Sequence, residues 1–129
     1  TPDELEGARM ALQDHRSGVR APEADLVVNL CFDTSRKGGI LSLPACALLK
    51  RAGLTRPLVV WEPPSLFPDG ASIEISLRAL REDPLLAPWE PPTMRVRDVV
   101  QGWDGLSGLR AKLGFRTLLN TLEKLVVPV

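Results

Sequence analysis

Leu26-Val27-Val28-Asn29-Leu30-Cys31-Phe32, followed at once by Asp33-Thr34-Ser35-Arg36-Lys37-Gly38-Gly39, is the stretch on which the fold turns. The first seven residues are apolar except Asn29 and include β-branched side chains, as a buried strand would. Pro22, just upstream, suits the first turn of a helix, and Glu23 and Asp25 would favour the positive end of that helix. The run therefore reads either as a helix or as a strand entering a polar turn. As a helix, it makes the chain mainly α with a minor β component, which is the first expectation. As a strand, it makes the chain a small α+β domain. Residues 26–32, 58–61, 72–77 and 94–100 would then form a sheet, covered by helices at 45–51 and 106–127.

Elements on either side of this stretch are clearer. Residues 3–16 predict a helix with Asp3 as its cap, acids in its first turn and Ser17-Gly18 as its stop. His15, near its end, reads as a solvated residue that helps the helix dipole when charged. Residues 43–52 are strong helix formers, and Gly53 suits the position just past a helix end. Prolines at 57, 63, 64, 68, 84, 88, 91 and 92 leave no room for a long helix between 57 and 92. Within that span Ser72-Ile73-Glu74-Ile75-Ser76-Leu77 alternates strictly, which predicts a short half-buried strand. The most regular pattern is the last: Leu106, Leu109, Leu113, Leu118, Leu122 and Leu125 recur at helical spacing and predict one amphipathic helix over 106–127, packed on the core.

The whole chain, 129 residues, has the size of one domain, and 44% apolar with 25% charged residues is a globular composition. Its formal net charge is zero, which supplies no field to gather nucleic acid. No apolar run approaches the ~20 residues that a membrane helix needs, so membrane insertion is not expected. The chain starts at Thr1 and reads as an excised fragment, which leaves a removed targeting segment open. Cys31 and Cys46 lie among apolar neighbours, away from His15 and outside any CxxC. They read as reduced core residues rather than metal ligands, which fits an intracellular compartment, cytoplasmic or nuclear.

Neither GxSxG, a P-loop nor GxGxxG occurs, and Glu74 and Glu82 show no acid–base partner arrangement. Neither a catalytic residue nor a cofactor site is expected. The functional reading is a non-enzymatic domain that binds another protein as a scaffold or adaptor, with homo-oligomerisation open. The alternative is a small α+β accessory, oligomerisation or ligand-binding domain. Candidate partner-binding residues are Trp61, Trp89, Trp103, Leu118 and Leu122. The first two belong to a repeated tetrapeptide, Trp61-Glu62-Pro63-Pro64 and Trp89-Glu90-Pro91-Pro92. Exposed aromatics anchor interfaces; the rival reading has these tryptophans plugging the edge of the core.

Laid on an EF-hand loop, Asp33 takes position 1, Ser35 position 3, Lys37 position 5, Gly38 position 6, Ile40 position 8 and Pro44 position 12. A second loop at 66–77 centres on Ile73, making residues 22–82 a candidate helix-loop-helix pair. With its Asp-Thr/Ser-x-x-x-Gly turn after an apolar run, the stretch from Glu23 to Gly53 resembles the degenerate EF-hand regions of the dystrophin and dystrobrevin family. The resemblance covers about a quarter of the chain and implies a scaffolding role at a cytoskeletal or membrane-associated complex. Calcium does not follow from it, because Lys37 is a cation at a ligand position and Pro44 has no side-chain oxygen where a bidentate Glu is needed. Isothermal titration with calcium at millimolar concentration is expected to give no saturable heat; a saturable signal at micromolar calcium contradicts this reading.

Overall fold

The computed structural model of the chain describes residues 1–31, 41–63, 66, 73–84, 91–115, 117–126 and 128. Its elements run α1 (Pro2–Asp14), β1 (Leu26–Cys31), α2 (Ser42–Arg51), β2 (Pro57–Glu62), α3 (Ile73–Glu82), β3 (Thr93–Arg95), α4 (Val96–Val99), α5 (Trp103–Leu113), α6 (Leu119–Leu122) and a 3-10 turn, Glu123–Leu125. The strands form one three-stranded parallel sheet in the order β1-β2-β3. Parallel neighbours need a crossover, and α2 and α3 lie in those connections. The chain is a small domain of mixed α and β structure. Residues 26–31 take the strand reading, not the helix expected from Pro22. A parallel sheet is covered on both faces and so accepts a run that is apolar on every side.

Register sorts the strand side chains into two layers. Val27 and Cys31 of β1, Leu58 and Val60 of β2 and Met94 of β3 join one apolar cluster. Val28 and Leu30, with Val59 and Trp61, join the other. The second face is covered by Leu43 and Ala47 of α2 and by Ile73, Leu77 and Leu80 of α3. The first is covered by Ala8 and Leu12 of α1, Val96 and Val99 of α4, Trp103 of α5, Leu119 and Leu122 of α6, and Val126.

Three expected elements differ. The strand predicted at 72–77 is helical from Ile73 onward. Ile73, Ser76 and Leu80 are buried while Glu74, Ile75, Arg78 and Arg81 are exposed, a helical period sustained over ten residues that outweighs a six-residue alternation. Residues 94–100 divide into the end of β3 and the single turn α4. The long helix predicted at 106–127 is interrupted: Gly114 takes a left-handed conformation, φ 73°, and caps α5 by donating its N–H to the Arg110 carbonyl at 3.1 Å. Glycine reaches that conformation without the Cβ clash other residues meet, so the helix ends there.

The helices at 3–16 and 43–52 correspond to α1 and α2, and Gly53 lies just past α2 at φ 72°. The cap of α1 is Thr1 and not Asp3: the Thr1 hydroxyl accepts the Glu4 N–H at 3.2 Å, and Asp3 falls inside the first turn. An EF-hand needs helices on both sides of its loop, and here strand β1 leads in. Ile73, the centre of the second loop, begins α3. Residues 33–40 of the first loop lie outside the described residues.

The break in the C-terminal helix gives its leucines different weights. Leu122 is 8% exposed and Leu118 is 49% exposed. Leu122→Ala is expected to lose ~2–5 kcal/mol in urea unfolding, as buried leucine truncations do, and Leu118→Ala less than ~1 kcal/mol. Equal losses at the two positions would contradict the break.

Candidate functional site

In open parallel sheets, sites gather at the carboxyl ends of the strands. Cys31, Glu62 and Arg95 stand at those ends here. Glu62 is buried, and its carboxylate accepts from an Arg95 guanidinium nitrogen at 3.2 Å and from the Arg97 backbone N–H at 3.1 Å. The Arg95 guanidinium also lies over the Trp61 ring, 5.2 Å from its centre, within cation–π range. Its backbone N–H donates to Asp98 at 2.9 Å. Arg97 makes a second pair with Asp104 at 3.0 Å. The cluster ties the end of β2 to β3, α4 and the first turn of α5. Both Glu62 oxygens accept hydrogen bonds, so this carboxylate acts as a clamp between elements.

Cys31 and Cys46 are both buried and free. Burial pushes the Cys31 thiol up, and the negative charges of Glu123 and Glu62 push it further. Burial raises Cys46 as well. A thiol held protonated is a weak nucleophile and a poor metal ligand. Among the described residues no group of three or more His, Cys, Asp or Glu side chains could hold a metal ion. No helix among them is long and apolar enough to cross a membrane.

A second polar construction lies inside the first layer. Arg110 of α5 and Glu123 of the 3-10 turn are 1% and 2% exposed and form an ion pair at 3.1 Å. Asn29, the polar residue of β1, donates its side-chain amide to the Glu123 carbonyl at 2.8 Å and to the Val126 carbonyl at 3.4 Å. Its side-chain oxygen accepts the Cys31 N–H at 3.1 Å. Together they hold the C-terminal turn on the sheet.

The candidate partner-binding residues are scattered. Trp61 is partly buried on β2 beneath Arg95. Trp103, 1% exposed, and Leu122 are core residues, so a partner cannot reach them without opening the fold; their large apolar surfaces serve the domain's own packing. Trp89 lies outside the described residues. Leu118 is exposed. It follows a row that sequence reasoning had assigned to the core: Leu106, Leu109 and Leu113 of α5 are 44%, 53% and 48% exposed, and Phe115 is 60% exposed. The spacing of those three leucines puts them in one row that flanks the buried stripe of α5, which Trp103 and Arg110, seven residues apart, occupy. A helical leucine period shows that a face exists; it does not show which way it turns.

Compared with known proteins, the chain matches no family model, no curated protein and no solved structure.

The buried pair gives a sharp test. Glu123→Ala is expected to destabilise the domain by ~3–5 kcal/mol in urea unfolding, because it removes one partner of a buried ion pair and leaves the other charge in the interior. Replacing both partners, Arg110→Met with Glu123→Leu, is expected to restore most of that loss. A single-variant loss below ~1 kcal/mol would mean that water already solvates the pair.

Proposed function

We propose that the chain is a non-enzymatic protein-interaction domain, a scaffold or adaptor module independent of calcium, that docks a partner protein on the exposed flank of α5. One observation carries this reading: Leu106, Leu109 and Leu113 repeat at helical spacing on a surface that is half open to solvent, with Phe115 and Leu118 following in the turn to α6. Single exposed leucines are ordinary, whereas a row of them on one helix side is the pattern by which amphipathic helices engage grooves and other helices. Among the described residues, the domain's own packing covers only about half of this row. Polar groups at the strand ends support the same reading, since Glu62 is occupied as a clamp and the Cys31 thiol is held protonated.

Leu109→Asp with Leu113→Asp tests the proposal, because both positions are exposed and the double variant should fold with stability within ~1 kcal/mol of the parent. Affinity capture from a native lysate is expected to lose a partner that the parent retains, and light scattering reports any loss of self-association. A folded double variant that keeps every partner and the parental oligomeric state overturns the assignment of this face.

A further inference from the structure

We propose that the groove where the end of α1 meets the C-terminal turn binds a small monocarboxylate with an apolar tail, its carboxylate received by Arg16. This rests on different residues from the leucine row of α5. The groove, half open to solvent, offers about 210 Å³. Leu12, Val99, Val100, Leu125 and Val126 provide its apolar lining, and Arg16 lines the same space. The volume is smaller than the ~300–1,000 Å³ of sites for drug-sized ligands, which sets the scale of the occupant.

The wall that carries Arg16 is held in place. Ser17 donates its backbone N–H to the Val99 carbonyl at 2.8 Å, and Gln101 donates to the His15 carbonyl at 2.8 Å. Arg16 and Val100 form an antiparallel bridge between these bonds, and the Ser17 hydroxyl donates to the Asp98 carbonyl. The backbone that presents the guanidinium is thus fixed before a ligand arrives, which lowers the ordering cost of binding.

Charge selects the ligand class. Arg9, at the same groove, is already engaged: its guanidinium donates to both oxygens of Glu6, at 2.9 and 2.7 Å, and to Gln13 at 3.2 Å. Arg16 has no ion-pair partner among the described residues. With Arg9 balanced by Glu6, the groove presents one uncompensated positive charge beside an apolar lining. One charge suits a monoanion, and a planar carboxylate matches the fork of an arginine. Arg16 also lines an adjoining hollow with Ser17, Val19, Val99 and Pro128, so it stands between the two spaces.

The test uses the whole chain and three probes: hexanoate, its neutral analogue hexanamide, and tailless acetate. Amide shifts in nitrogen-edited NMR are expected to move saturably with hexanoate at Leu12, Arg16, Val100 and Val126, with a Kd in the millimolar range. Hexanamide and acetate are expected to bind at least ~10-fold more weakly, as loss of a charged hydrogen bond or of buried methylenes implies. Arg16→Gln is expected to weaken hexanoate by a similar factor, and Arg16→Lys to retain part of the affinity. Leu109→Asp is expected to bind hexanoate like the parent, which keeps failure here distinct from failure of the partner-docking reading. No saturation by hexanoate, shifts that map elsewhere, or equal affinity for hexanoate and hexanamide overturns the proposal. The hexanamide comparison uses the parent protein, so it decides even where Arg16→Gln does not fold.

Discussion

Strand β2 is the constraint from which the rest follows. From Pro57 to Val60 its residues are buried, and Val59 and Val60 expose no surface at all. It has a neighbouring strand on each edge and an apolar cluster on each face. Burying such a strand requires a covering layer on both sides of the sheet. The crossover helices α2 and α3 supply one layer as a consequence of parallel connection. The other layer is assembled from the two ends of the chain, α1 before the sheet and α4 to the 3-10 turn after it. Glu62 closes the carboxyl end of β2 by accepting from Arg95 and from the Arg97 backbone.

The buried Arg110–Glu123 pair shows how that second layer is oriented. Removing two charges from water opposes folding, and their mutual attraction repays this only with good geometry. What the pair adds is position. Arg110 lies seven residues beyond Trp103, so both face inward from α5, and Glu123 fixes the C-terminal turn against them. Asn29 secures the same turn to β1. With an arginine and a tryptophan as its inward anchors, α5 is rotated so that Leu106, Leu109 and Leu113 stand to the side. The apolar row is thus exposed because a polar contact, and not the leucines, sets the helix's rotation.

This explains which features were legible in the sequence. Helices α1 and α2 were, because breakers and a positive-φ glycine at 53 are local signals, although the cap of α1 is Thr1 and not Asp3. The strand character of residues 26–31 was visible in composition, but choosing it over a helix required Pro57–Glu62 as a partner, which is a long-range fact. At 72–77 the alternation of six residues was real and misleading, since the helical face of Ile73, Ser76 and Leu80 shows only when the window is lengthened. The site residues were less legible. Trp103 and Leu122 carry the surfaces that interfaces favour, yet a core favours the same surfaces, and only burial separates the two uses. Arg110 gave no sign of being interior, because a buried arginine is recognised by its partner, and Glu123 is thirteen residues away.

The two layers also differ in their capacity for sites. Helices α2 and α3 each run ten residues, whereas the other layer interleaves the longer α1 and α5, of thirteen and eleven residues, with the four-residue α4 and α6, and changes direction at Gly102 and Gly114. A short helix satisfies few of its own backbone groups and ends in exposed turns. Covering a sheet face with such pieces leaves seams where their ends meet. The groove beside Arg16 is one such seam, formed where the end of α1, the exit of α4 and the C-terminal turn converge. A fold whose buried strand demands a second layer, pieced together from both ends of the chain, keeps its surface irregular where binding would use it.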